Sequence, residues 1–115
     1  MANPVQQFVP VRIVKSGEWL FEGDLDLPVD IVVLDYDWYY ENDKKAGVLR
    51  EGAKPTPLGP DGSLFHVRFQ EAGEIDDLWI DGGCYPTLEE AVEGAQWKAP
   101  SKIKWLNYIF IQPGH

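Results

Sequence analysis

At 115 residues with a single cysteine, Cys84, the chain is long enough for one domain with its own core and has no internal disulfide to staple it. A formal charge of −9 at pH 7 excludes a surface built to hold nucleic-acid phosphates or anionic lipid. No apolar run approaches the ~18 residues of a membrane span, and the opening MANPVQQFVP lacks the basic and apolar regions of a signal peptide, so a soluble, cytoplasmic domain over residues 1–115 is expected.

In chain order, VPVRIVK alternates, with Val9, Val11 and Ile13 on one face and Pro10 in a position that suits an edge strand. Ser16-Gly17 reads as a two-residue hairpin link before EWLF. GDLDLP breaks the pattern, and Val29 to about Tyr40 reads as one long strand. Residues 44–63, with REGAKPTPLGPDGS at their heart, read as a turn-rich loop. LFHVRFQ alternates again, with Phe65, Val67 and Phe69 inward and His66 and Arg68 outward. IDDLWID does the same, with Asp77, Trp79 and Asp81 outward.

The helix signals are concentrated in one segment. Thr87 and Glu90 form a T-x-x-E capping box. Leu88, Ala91, Val92 and Ala95 make an apolar stripe, and Pro100 stops the helix. IKWLNYIFIQ is apolar on both faces, which predicts an interior strand at Ile103–Ile111. The expected fold is α+β: a twisted, mainly antiparallel sheet of five to six strands with one α-helix, about 88–99, packed on one face.

The charge is segmental. Residues 16–43 carry nine carboxylates and no Lys or Arg, and residues 71–97 carry eight carboxylates and no Lys or Arg. Such segments attract a basic protein or a cationic ligand.

IVVLDYDWYY, Ile31–Tyr40, resembles the first motif of the haloacid dehalogenase superfamily of phosphohydrolases, an apolar strand followed by D-x-D-x-T/V. That resemblance implies Asp35 as nucleophile, Asp37 as general acid/base, and Ile75–Asp77 as a counterpart of the later magnesium-binding motif. Tyr39 departs from the pattern where Thr or Val belongs, and the family's Rossmann-like parallel sheet needs crossover helices that this chain lacks. A calcium loop starting at Asp35 fails, because Tyr39, Tyr40 and Ala46 stand where an oxygen ligand, Gly and Glu belong. Cys84, in DGGCYP, and His66 could pair as thiolate and imidazole, but no signature surrounds them. Cys84 reads as a small hydrophobe and His66 as a surface histidine. No cofactor and no metal is expected.

Read with period two, Val29–Glu41 changes face: Asp35, Asp37, Tyr39 and Glu41 follow Val29, Ile31 and Val33. They read as a solvent-facing acidic–aromatic contact surface, continued by Asp77, Trp79 and Asp81. The function expected is that of a small acidic accessory protein without catalytic machinery. In general character it resembles immunity proteins, inhibitors and accessory proteins of mobile elements. The partner is a basic protein surface or a second copy of the chain. The alternative is a domain that binds a small cationic or planar ligand, and the remote one is the Asp35/Asp37 phosphohydrolase.

Overall fold

The computed structural model describes residues 12–70 and 79–109, with the backbone alone for 79–81. Its elements are β1 (Arg12–Phe21), β2 (Leu25–Leu34), α1 (Trp38–Ala46), β3 (Leu64–Phe69), β4 (Trp79–Tyr85), α2 (Leu88–Lys98) and β5 (Lys104–Trp105). The five strands form one antiparallel sheet in the order β4-β3-β2-β1-β5. The α+β class and the antiparallel sheet are as expected; the second helix is not.

β1 runs unbroken through Ser16-Gly17, so the predicted hairpin link there is wrong. Gly17 pairs with Trp105, and a Cβ on it would lie 2.8 Å from the Trp105 ring and 3.0 Å from the Lys104 carbonyl. The glycine marks a close approach of another segment, not a turn. The turn comes at Glu22-Gly23, where both residues take positive φ (51° and 81°) and Asp24 N–H donates to Phe21 O. That is the backbone twist that joins antiparallel strands without splaying them.

β2 begins at Leu25, before the predicted Val29, and holds Pro28. The Pro28 carbonyl accepts from Gln70 N–H, one residue past the end of β3. Its missing N–H therefore lies beyond the ladder and costs no rung.

β3 is buried at all six positions, so the sheet centre is covered on both faces. On one face α2 lays Ala91 and Ala95, with Leu88 and Val92 beside them, over Val29, Ile31, Phe65, Val67 and Phe69. Thr87 caps this helix as the sequence predicts: its hydroxyl oxygen accepts from Glu90 N–H at 3.2 Å and donates to the Glu90 carboxylate at 3.0 Å. The other face holds a smaller apolar cluster of Val32 and Leu34 with Ile13, Tyr36, Trp38 and Tyr39. It also buries Ser16, Asp30, His66 and Arg68.

Arg68 and Asp30 meet there in a two-pronged ion pair, with both contacts at 2.7 Å. Burial pushes the Asp30 pKa above its ordinary value, and the guanidinium pulls against that shift. The expectation that His66 and Arg68 point away from the Phe65 face is correct, but both are buried.

Over its described part, residues 103–109, the predicted interior strand at Ile103–Ile111 is corrected to a two-residue edge strand, β5, bound to β1; Phe110 and Ile111 lie outside the described residues. Ile103 is buried, whereas Tyr108 and Ile109 are exposed. The positions flanked on both sides by long strands belong to β2 and β3.

Candidate functional site

The predicted long strand ends at Leu34. Asp35 and Tyr36 form a bend, and a helix starts at Trp38. Asp37 is its N-cap: Oδ1 accepts from Tyr40 N–H at 3.1 Å and Oδ2 from Thr56 N–H at 2.9 Å. Glu41 in the first turn, Lys44 and Lys45 in the last, and Gly47 in the left-handed conformation complete a helix of nine residues. The Thr56 bond also ties the 48–63 segment, which holds neither helix nor strand, to the start of α1.

Two strands, the 48–63 segment and this cap converge. His66 on β3 and Cys84 on β4 are directly opposed across the ladder. His66 Nε2 accepts the Trp38 N–H at 3.2 Å, which satisfies one of the unpaired donors of the first helical turn. The Tyr39 ring stacks on the imidazole, with centroids 5.9 Å apart, and its hydroxyl accepts from Gly83 N–H at 2.9 Å. The β3–β4 ladder is irregular between His66 and Arg68, beside Gly83. Bulges of this kind re-aim groups next to sites. Cys84 Sγ lies 3.8 Å from Asp37 Oδ1 and 3.8 Å from Thr56 Oγ1. One donor atom from each of Asp37, His66 and Cys84 falls within 4.8 Å of the others.

Burial pushes the His66 pKa down to about 4, against the pull of the Asp37 carboxylate and a backbone bond at Leu64. Burial pushes the Cys84 thiol up, helped by the Asp37 charge and opposed by the Thr56 hydroxyl. Burial also works to raise Asp37, but the Thr56 and Tyr40 N–H bonds outweigh it, and its carboxyl sits below the usual range. At neutral pH the cluster is therefore a neutral thiol, a neutral imidazole and a carboxylate. That is the reverse of an activated thiolate–imidazolium pair.

Of the residues expected on the acidic–aromatic surface, Asp35 is exposed and Glu41 half-buried. Asp37 and Tyr39 are corrections: Asp37 is a buried cap, and half-buried Tyr39 turns inward onto His66. Asp77 and the side chains of Trp79 and Asp81 lie outside the described residues. Asp35 and Asp37 do not stand at the tip of a parallel strand, because β2 is antiparallel to both of its neighbours. The geometry that the phosphohydrolase resemblance implies is thus not formed. From the sequence Cys84 and His66 can be paired, whereas period-two alternation puts Asp37 on another surface. The helix signals at Asp37, Glu41, Lys44, Lys45 and Gly47 could have brought it in.

Outside this cluster a cleft of about 360 Å³ opens between the β2–α1 bend and α1. It is lined by Tyr36, Trp38, Glu41, Asn42 and Lys45. Burial raises the Tyr36 pKa, and the charges of Asp35 and Glu41 raise it further. No helix among the described residues is long and apolar enough to cross a membrane. No family model, no curated protein and no solved structure matches this chain.

Proposed function

We propose that the domain is a non-catalytic, acidic binding module that meets a basic protein surface, in the manner of an immunity or inhibitor protein. The observation that carries this reading is the cleft beside α1. Two aromatic rings, Tyr36 and Trp38, share it with the Glu41 carboxylate. Burial and then the charges of Asp35 and Glu41 raise the Tyr36 hydroxyl's pKa, so two carboxylates act at the cleft, against the single positive charge of Lys45 on its wall. Rings and carboxylates together suit an inserted Arg or Lys side chain, the rings through their π faces and the carboxylates through charge. The exposed acids Glu22, Asp24, Asp26, Asp35 and Asp43 add long-range steering.

The test is an NMR titration with a hexa-arginine peptide and, in parallel, hexa-glutamate. Arginine should shift Tyr36, Trp38, Glu41 and Asn42, with affinity falling as salt rises. Trp38→Ala and Glu41→Lys should each weaken binding. Shifts spread over the whole surface, or equal response to hexa-glutamate, would end this reading.

The cleft volume supports a second reading, a small planar cation as ligand. Such pockets begin at roughly 300 Å³. A small aromatic cation that saturates the same residues at one per chain, with no gain from a longer basic peptide, would favour it.

A further inference from the structure

We propose that Asp37, His66 and Cys84 form a binding site for a single zinc ion. The three side chains come from three separate places in the fold: the α1 cap, β3 and β4. Each offers one donor atom, and the three lie within 4.8 Å of one another. Tetrahedral zinc with O, N and S ligands needs ligand–ligand separations of about 3.3–3.6 Å, from bond lengths of about 2.0–2.3 Å. The Cys84 Sγ to Asp37 Oδ1 distance is 3.8 Å, so the site closes on an ion by small side-chain movements.

The donor set selects the metal. One thiolate, one imidazole and one carboxylate suit a borderline-soft ion and disfavour calcium or magnesium, which take oxygen. Three protein ligands leave a fourth position for water or a ligand atom.

The charge balance suits a buried location. On binding, the Cys84 S–H bond breaks, a sulfur–zinc bond forms, and the proton leaves to solvent. The carboxylate and the new thiolate then offset the two positive charges of the ion, leaving a neutral centre among buried groups. Each Asp37 oxygen holds one N–H, from Tyr40 or Thr56, and keeps a further lone pair. Those bonds orient the carboxylate as outer partners orient ligands in metal sites. Coordination through His66 Nε2 exchanges the long Trp38 N–H bond for a metal bond. Cys84 is half-buried and marks the side of access.

The experiment titrates the metal-free full chain with Co²⁺, then Zn²⁺. One Co²⁺ per chain should give intense tetrahedral visible bands and a near-ultraviolet sulfur-to-cobalt charge-transfer band, both bleached by Zn²⁺. Cys84→Ser should remove the charge-transfer band and weaken zinc by more than about tenfold, while Asp35→Asn leaves both unchanged. In the unaltered chain, zinc should slow modification of Cys84 by a thiol reagent by about tenfold or more, a readout independent of how any variant folds. Weak pink octahedral cobalt without a charge-transfer band, a band that survives Cys84→Ser, or a modification rate indifferent to zinc would each overturn the proposal.

Discussion

The two faces of this sheet are built from alternate residues of the same strands, yet they hold together by different physics. The α2 face is held by apolar contacts: Val29, Ile31, Phe65, Val67 and Phe69 meet Ala91 and Ala95, and among the described residues the one buried polar side-chain atom of this cluster without a hydrogen bond is Trp19 Nε1. The α1 face buries Asp30, Arg68, His66 and Ser16 next to Val32 and Leu34. Apolar contacts are non-directional, so the first face tolerates change in proportion to the volume lost. On the second, Asp30 and Arg68 hold each other and His66 Nε2 holds the Trp38 N–H, and losing one partner strands the other.

The largest effect should come from the ion pair. Asp30→Ala leaves the Arg68 guanidinium buried and alone and should cost about 3–5 kcal/mol. On the other face, Ile31→Ala should cost about 2–5 kcal/mol by leaving a cavity. The faces differ in how they are rescued. Asp30→Leu combined with Arg68→Met should recover most of the ion-pair loss, as urea unfolding would register. A double variant no more stable than Asp30→Ala breaks the comparison.

Acid should act on the α1 face first. In metal-free protein, His66 titrates near 4 when folded and near 6.5 when unfolded. Between those values the unfolded chain binds the proton and the folded chain does not, so stability falls as pH drops through that window. The total is about 3 kcal/mol. Asp37, whose pKa is lowered, contributes stability that is lost only at lower pH still, as its own carboxyl protonates. Denaturant midpoints at pH 7.5 and 4.5 should differ accordingly, and His66→Gln should flatten the difference.

Two smaller effects test local geometry. Gly17→Ala drives a methyl group into Trp105 and should cost about 1–3 kcal/mol; unchanged stability would mean that β5 does not dock there. Thr87→Ala removes the α2 cap and should cost about 1 kcal/mol. The smallest effect is expected for Asp35→Lys, on the exposed bend, at less than about 0.5 kcal/mol. A larger loss would show that Asp35 shares the burial of Asp37.

What could be read from the sequence follows the same division. The α2 face was legible because its signals are local: a capping box, a helical stripe and the strict alternation of Phe65, Val67 and Phe69. The alternation also put His66 and Arg68 on the opposite face. It could not say that this face is buried, because the contacts around His66 come from distant segments, through Tyr39 to Gly83 and Thr56 to Asp37. α1 was misread because Trp38, Tyr39 and Tyr40 have strong strand preference and continue the period of β2. Its end signals were present but were outweighed. The described part of Ile103–Ile111, residues 103–109, departs in the opposite direction, since an apolar run on both faces does not distinguish a central strand from a short edge segment.

Ser101 has a consequence for how the protein behaves in a crowd of its own copies. β5 pairs with only Gly17 and Glu18 of β1. Two residues further along that strand, the Ser101 hydroxyl accepts the Leu20 N–H at 2.9 Å and donates to the Leu20 carbonyl at 3.2 Å. One side chain thus satisfies both backbone groups of a residue whose own side chain is apolar and exposed. An open rung at that place would offer a neighbouring chain a hydrogen-bonding template next to a greasy side chain, the combination from which edge-to-edge aggregation grows. The hydroxyl closes that rung, so no free backbone template stands beside the exposed Leu20 side chain.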